Sequence, residues 1–153
     1  MSTNIQEIKN LSIGFKSQKG EQISILRNIT TNVRKGETVG IVGESGSGKS
    51  TLALAMMGYI KQGLFTTGGE CFFKSLDLLK LNNKELVEIR GRKIAMIPQN
   101  AGQALTPNLK IGYQIEEALK LHTDFNKVER EQKISELLNQ VRLPSPKIMA
   151  LRY

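Results

Sequence analysis

The chain has 153 residues, one cysteine and a formal net charge of +8, and its length is typical of one domain with a sizeable core. Because the basic residues are interleaved with acidic ones, the charge favours solvated faces over the basic stripe of a nucleic-acid-binding protein. A lone Cys71 excludes an internal disulfide, and the lack of an apolar run of roughly twenty residues excludes a membrane-spanning helix.

The first predicted elements are β-strands. Apolar residues alternate with small or polar ones over residues 11–15, a turn sequence follows at residues 17–20, and a second alternation begins at residues 23–25. This pattern predicts an antiparallel hairpin. A further strand is predicted over residues 29–33, where the same period continues.

A glycine-rich loop follows a β-branched run. Residues 38–42 predict a strand buried on both faces, and the next eight residues, Gly43-Glu44-Ser45-Gly46-Ser47-Gly48-Lys49-Ser50, match G-x-x-x-x-G-K-[ST] at each position. A helix is predicted from Lys49, with one packed face formed by Leu52, Ala55, Met56 and Tyr59. The order of strand, loop and helix favours a functional loop over a plain glycine-rich turn.

The chemistry of this loop, residues 43–50, points to phosphate binding, and we call it the phosphate loop. Its glycines allow the backbone N–H groups to point inward at an anion, and the following helix presents its positive end. Lys49 is predicted to reach the β- and γ-phosphates, and Ser50 to place its hydroxyl on Mg²⁺. Glu44 is predicted to face the phosphates only through its backbone N–H, because its carboxylate would repel them.

Later segments predict further strands and helices. A short strand is predicted over residues 70–74, and a helix capped by Asn82 or Asn83 follows, with Leu86 and Ile89 facing inward and Gly91 at its end. Residues 94–97 predict another buried strand, which ends at Pro98-Gln99. Two helices are predicted over residues 111–121 and 126–141, the second with an apolar face of Ile134, Leu137, Leu138 and Val141. His122 is predicted to be a surface or capping residue.

The residues after Pro98 carry a family resemblance. Pro98-Gln99-Asn100-Ala101-Gly102-Gln103-Ala104-Leu105-Thr106-Pro107 resembles the Q-loop of ATP-binding cassette (ABC) transporter ATPases, in the form found in importers of oligopeptides, dipeptides and nickel. The resemblance extends over nearly the whole chain, through residues 36–38, 43–51 and 90–92. Asn100-Ala101 departs from the usual Asp-Pro, which leaves the transported solute open.

This resemblance implies an α/β fold of the P-loop NTPase type, with a RecA-like parallel sheet core. Residues 1–99 would form an N-terminal antiparallel β subdomain and the core, and residues 100–153 would begin a helical subdomain. The implied cofactors are ATP and Mg²⁺, with Ser50 and Gln99 as the residues that contact the metal. The implied cofactor-binding residues are Gly43, Glu44, Ser45, Gly46, Ser47, Gly48, Lys49, Ser50, Thr51, Gln99 and Phe15.

Phe15 has two alternative roles. It occupies the region where the family supplies an aromatic ring that stacks on adenine, and such stacking is worth about 1 to 3 kcal/mol by analogy with other base-aromatic contacts. It could equally be a core residue of the hairpin. Both interpretations stay open from the sequence.

Several family motifs do not occur in this sequence. The Walker B strand with its Asp-Glu pair, the Leu-Ser-Gly-Gly-Gln signature and the switch histidine are absent, so no catalytic residue is assigned in this chain. We expect an amino-terminal part of a longer protein, with an incomplete fold that is marginally stable and aggregation-prone because strand edges stay unpaired.

The predicted function is the ATPase subunit of an importer for peptides or a related solute such as nickel, bound peripherally at the cytoplasmic face of the membrane. The implied partners are a second ABC ATPase subunit, membrane-spanning permease subunits and, indirectly, a solute-binding protein; no nucleic acid is expected. Two alternatives are a cassette protein in DNA repair or translation, and a nucleotide-binding module without catalysis. A small GTPase is disfavoured because Asn83-Lys84-Glu85-Leu86 lacks the final Asp of the guanine-reading motif.

Overall fold

A long antiparallel hairpin forms the first part of the structure, a computed structural model that describes residues 4–153 without the side chains of Ala101 and Gln103. The strands are β1 (Asn4–Lys16), β2 (Gln22–Arg34), β3 (Leu64–Phe73) and β4 (Leu76–Asp77). They form one antiparallel sheet in the order β2-β1-β3-β4. The hairpin predicted from the alternating pattern is therefore confirmed, and it is longer than predicted.

The prediction of a separate strand over residues 29–33 is wrong, because these residues form the second half of β2. Asn10 and Asn28 have positive φ angles of +52° and +50°, and they lie where the register between β1 and β2 shifts. Such bulges interrupt the period of two that identifies a strand. The sequence therefore shows two short stretches where the structure has one strand.

Apolar residues of the sheet and of the two helices described below form the core of this part of the chain. Cys71 on β3 is fully buried, and burial raises the pKa of its thiol to about 11, so it packs as a small apolar residue. The buried apolar residues here are Ile8, Leu11, Ile13, Leu26, Leu52, Ala55, Cys71, Phe73, Leu78, Leu86 and Ile89.

The helix after the phosphate loop, α1 (Lys49–Ala55), is short and ends in a glycine cap. Gly58 has a φ of +70°, its N–H donates to the Ala55 carbonyl at 2.8 Å, and the Tyr59 N–H donates to the Leu54 carbonyl at 2.9 Å. These two bonds are those of a Schellman motif. Tyr59 therefore lies beyond the helix and is 45% exposed, and its predicted place on the packed helix face is wrong.

The helix α2 (Asn83–Val87) begins at the predicted cap. The Asn82 Oδ1 atom accepts hydrogen bonds from the N–H groups of Lys84 and Glu85, at 2.9 and 3.1 Å, and the Glu85 carboxylate accepts one from the Asn82 N–H at 2.8 Å. This reciprocal pair is a capping box. Asn82, not Asn83, is the capping residue.

Two predicted buried strands are absent from the sheet. Residues 38–42 and 95–97 have no strand conformation, Ile94 forms only an isolated bridge, and Val42 and Ile97 are 96% and 93% exposed. An apolar, β-branched run predicts burial, but a strand forms only where a neighbouring strand satisfies its backbone hydrogen bonds. Within residues 4–153, the four-stranded sheet includes neither segment.

The chain divides into two compact units between Arg90 and Gly91, and the second unit is helical. Helices α4 (Ile111–His122) and α5 (Lys127–Gln140) match the two predicted helices to within one residue at each boundary. Val141 lies beyond α5 and is 66% exposed, contrary to its predicted packing. Across the described helices, none combines the length and apolar composition that crossing a bilayer requires. The helices are α3 (Ala101–Ala104), α4 (Ile111–His122), α5 (Lys127–Gln140) and α6 (Pro146–Ala150).

An ion-pair cluster joins α4 to α5. The Glu116 carboxylate lies 3.0 Å from the Lys120 ammonium and 3.1 Å from the Arg130 guanidinium. Hydrogen bonds from these two cations hold the pKa of Glu116 below its usual value. The Glu116–Arg130 pair therefore links α4 to α5, whose buried residues are Ile134 and Leu138.

The α5 helix has a capping box whose loss can be measured. The Asn126 side chain accepts a hydrogen bond from the Glu129 N–H at 3.1 Å, and the Glu129 carboxylate accepts one from the Asn126 N–H at 2.7 Å. We expect Asn126→Ala to lower the free energy of unfolding by about 1 kcal/mol, because it leaves a helix donor without its cap. Asn126→Asp keeps the cap acceptor and should differ little from wild type in urea unfolding; equal losses in the two variants would contradict this assignment.

Candidate functional site: the phosphate loop

The phosphate loop connects residues 38–42 to α1, and two of its glycines adopt left-handed conformations. Gly46 and Gly48 have φ angles of +81° and +89°, which residues with a side chain adopt only under strain. Gly43 is required for space, because a Cβ atom at this position would lie only 2.9 Å from the Ser47 Oγ atom. The backbone curls as a phosphate-binding loop requires.

The hairpin supports the end of the loop. A Cβ atom on Gly48 would lie 2.8 Å from the Leu26 Cδ2 atom and 3.3 Å from the Ile25 carbonyl oxygen, so Gly48 packs directly on β2. At the other end of α1, the Gln6 carboxamide of β1 donates a hydrogen bond to the Met56 carbonyl. The sheet therefore fixes both ends of the helix. Sequence reasoning missed this support, because it arises from residues far apart in the chain.

The Lys49 ammonium lies over the loop. Its Nζ atom donates to the carbonyl oxygens of Gly43 and Glu44 at 2.8 and 2.6 Å, and to the Ser47 Oγ atom at 3.3 Å. These bonds hold one positive charge at the centre of a curled backbone. Residues 43–47 are exposed, so an anion from solvent can approach this charge.

The first turn of α1 adds to the positive potential. Gly48, the residue before the helix, makes no side-chain capping hydrogen bond, and the first turn contains no acidic residue. A helix start without a competing side-chain acceptor leaves its N–H groups available to an anion. Ser50 is exposed and Thr51 is half-buried on this turn. The loop, the ammonium and the helix start thus favour the same ligand, a group with several anionic oxygens.

Phe15 lies close to this region but is not placed on the loop itself. It is half-buried near the end of β1 and pairs with Ile23 on β2 and Leu64 on β3. Leu64 lines a small cavity together with Ser50 and Thr51. Directly opposite residues of an antiparallel pair share a face of the sheet, so the structure is compatible with both roles of Phe15.

Gln99 belongs to the second unit, where it is exposed at a bend just before α3. It does not follow a buried strand, since the strand predicted over residues 94–97 is not formed. Its contact with a metal ion stays a prediction.

The described residues contain no group of three or more His, Cys, Asp or Glu side chains that could hold a metal ion. A metal ion at the phosphate loop would therefore depend on few protein ligands. Mg²⁺ fits this donor set, because it is usually held by one or two protein oxygens together with phosphate and water oxygens. The exposed Ser50 hydroxyl is the protein oxygen that the sequence motif supplies.

The phosphate loop, followed directly by α1, places the chain among the P-loop NTPases. The family model described as "ABC transporter" matches residues 26–151. The chain therefore belongs to the ABC transporter family.

Named relatives support this membership. The chain is 40% identical over 151 residues to the oligopeptide transport ATP-binding protein OppD of Bacillus subtilis (strain 168). This alignment covers 94% of this chain and 40% of that protein. It is 40% identical over 139 residues to the dipeptide transport ATP-binding protein DppD of Escherichia coli (strain K12), covering 91% and 42%. The chain thus spans about 40% of the length of these relatives.

A solved structure shows the same fold. The dimeric, post-hydrolysis state of the ATP-binding cassette MJ0796, bound to ADP and Pi, superposes with a TM-score of 0.80 at 29% sequence identity. The match covers 96% of this chain and 60% of that one. The fold class predicted from the sequence is confirmed, although the two core strands described above are not formed.

Proposed function

We propose that the protein is the ATP-binding subunit of an ABC importer for peptides or a related small solute. The observation that carries this proposal is the Lys49 ammonium, held over a curled, solvent-exposed backbone by the carbonyls of Gly43 and Glu44. A cation fixed there attracts a phosphate chain. The similarity to transport proteins for oligopeptides and dipeptides supports the class of solute.

In the proposed complex, residues 43–51 bind the phosphates of ATP. Lys49 neutralises the β- and γ-phosphates, and the backbone N–H groups around Gly46 and Gly48 donate to their oxygens. Ser50 would hold Mg²⁺, which when bound neutralises negative charge on the phosphate oxygens. Gln99 would approach the same metal, and Phe15 would stack on the adenine.

The proposed partners follow from this role. A second ATPase subunit would complete the nucleotide site, permease subunits would translocate the solute, and a solute-binding protein would deliver it at the other face. The protein would then lie peripherally on the cytoplasmic side of the membrane. We further propose that residues 1–153 alone bind ATP without measurable turnover, because hydrolysis also needs groups that orient Mg²⁺ and the attacking water.

The proposed transport role is tested by purification and uptake. The complete gene product, tagged and extracted in detergent from its native cells, is expected to co-purify with permease subunits, and vesicles containing the complex should take up a labelled tripeptide when supplied with ATP and Mg²⁺. ADP in place of ATP is the matched control. Co-purification with DNA-repair proteins or ribosomes, with no permease, would refute the proposal.

A further inference from the structure

The Lys49 ammonium has three hydrogen-bond partners within the phosphate loop. Two are backbone carbonyl oxygens, of Gly43 at 2.8 Å and of Glu44 at 2.6 Å, and the third is the Ser47 Oγ atom at 3.3 Å. A lysine ammonium has three N–H donors and no acceptor. The loop therefore offers one acceptor for each donor of Lys49.

The three acceptors differ in how easily they can leave the ammonium. The Glu44 carbonyl also accepts the Ser47 N–H at 3.2 Å, and both carbonyls belong to the backbone of the curled loop, so neither can turn away alone. The Ser47 hydroxyl makes the longest of the three bonds, and it turns about a single side-chain bond. Because Ser47 is exposed, water can bind the hydroxyl once it has turned. The hydroxyl is therefore the partner that Lys49 can exchange at the lowest cost.

Gly43 provides the space in which the Ser47 side chain lies. A Cβ atom on Gly43 would lie 2.9 Å from the Ser47 Oγ atom and 3.6 Å from the Ser47 Cβ atom. The Ser47 side chain is thus packed against the backbone at the start of the loop. This packing brings its hydroxyl to the same ammonium that the Gly43 carbonyl binds.

We propose that Ser47 is a positioning residue that holds the Lys49 ammonium until a phosphate oxygen replaces its hydroxyl. The inference rests on the proposed function, in which Lys49 neutralises the β- and γ-phosphates. Each donor of the ammonium already has an acceptor, so a phosphate oxygen binds it in place of one of them. A charge-assisted bond to phosphate is stronger than a bond to a neutral hydroxyl, which makes this exchange favourable. The hydroxyl nevertheless weakens nucleotide binding, because the apparent affinity depends on the fraction of loops in which the ammonium is released.

The test measures how fast ATP labelled with N-methylanthraniloyl (mant-ATP) binds to the complete gene product with Mg²⁺, by stopped-flow fluorescence. We expect Ser47→Ala to raise the association rate constant about threefold and to lower the Kd about threefold, because one neutral hydrogen bond no longer competes for the ammonium. The dissociation rate constant should stay within about 1.5-fold of wild type, since the hydroxyl has left Lys49 in the bound state. Ser75→Ala is the matched control, at an exposed position between β3 and β4, and should match wild type in all three constants.

A double variant tests whether the hydroxyl acts through the ammonium. Lys49→Met removes the ammonium, so adding Ser47→Ala to it should change the Kd for mant-ATP by less than about 1.5-fold. A decrease of about threefold that persists without the ammonium would show that Ser47 acts on the shape of the loop and not on Lys49. That result would overturn the positioning role.

The other outcomes separate this inference from the proposed function. If wild-type protein fails to bind mant-ATP, the proposed function is overturned, and this inference with it. If wild-type protein binds but Ser47→Ala associates at the wild-type rate, this inference alone is overturned. If Ser47→Ala dissociates faster than wild type, the hydroxyl contacts the bound phosphates and the proposed exchange is wrong. Ser47→Cys keeps a side chain of similar shape and offers only a weak acceptor, so it should show the same faster association and keeps the test valid if Ser47→Ala fails to fold.

Discussion

Lys49→Met is expected to weaken ATP binding by about 100-fold, because charge-assisted hydrogen bonds are worth about 1.5–3 kcal/mol each and 1.4 kcal/mol is a factor of ten in affinity. The substitution keeps the length of the side chain and removes the ammonium that lies 2.8 and 2.6 Å from the Gly43 and Glu44 carbonyls. Because these carbonyls are exposed, water can replace the lost donor. The substitution should therefore weaken ATP binding without lowering the stability of the fold.

Isothermal titration of ATP in the presence of Mg²⁺ measures this effect. Lys127→Met is the matched control, since Lys127 is exposed in the first turn of α5 and far along the chain from the phosphate loop. We expect its affinity to equal that of wild type, and we expect both variants to keep the wild-type Tm. ATP affinity that is unchanged in Lys49→Met would remove the main support for the proposed site.

Gly69→Ala is expected to destabilise the protein by about 3 to 5 kcal/mol, the range in which backbone strain combines with a steric clash. Gly69 has a φ of +87°, and a Cβ atom there would lie 2.5 Å from both the Asn10 carbonyl carbon and the Leu11 Cα atom. Both atoms belong to the backbone of β1, at the shift in register between β1 and β3. They cannot give way without breaking the sheet.

Two neighbouring glycines provide matched controls for Gly69. Gly68 lies on the same strand, and a Cβ atom there would meet nothing within 4 Å, so Gly68→Ala should change the free energy of unfolding by less than about 1 kcal/mol. Gly63 has a φ of +85° and equally open space, so Gly63→Ala measures strain alone, at about 1 kcal/mol. Urea unfolding of the three variants gives these values, and a Gly69→Ala loss no larger than that of Gly63→Ala would contradict the predicted clash.

Elements that depend on neighbours in the chain were predictable. The Asn82 cap, the start of α4 at Ile111 and the left-handed glycines of the phosphate loop follow from side-chain chemistry and backbone freedom within a few residues. The Lys49 contacts also lie within six residues of the chain. Short-range motifs therefore gave both the candidate site and most helix positions.

Elements that depend on distant partners were not predictable. Residues 38–42 and 94–97 are apolar enough for buried strands, yet their exposure shows that apolar composition does not supply a neighbouring strand.

By itself, the sequence determined the hairpin, the helix caps and the chemistry of the phosphate loop, because each arises from local dihedral preferences and adjacent side chains. Only the tertiary structure decided that Gly48 packs on β2 and that Gly69 touches the backbone of β1. It also decided which apolar runs become strands. The physical reason is that packing and strand pairing join residues far apart in the chain, and their geometry is set by the whole fold.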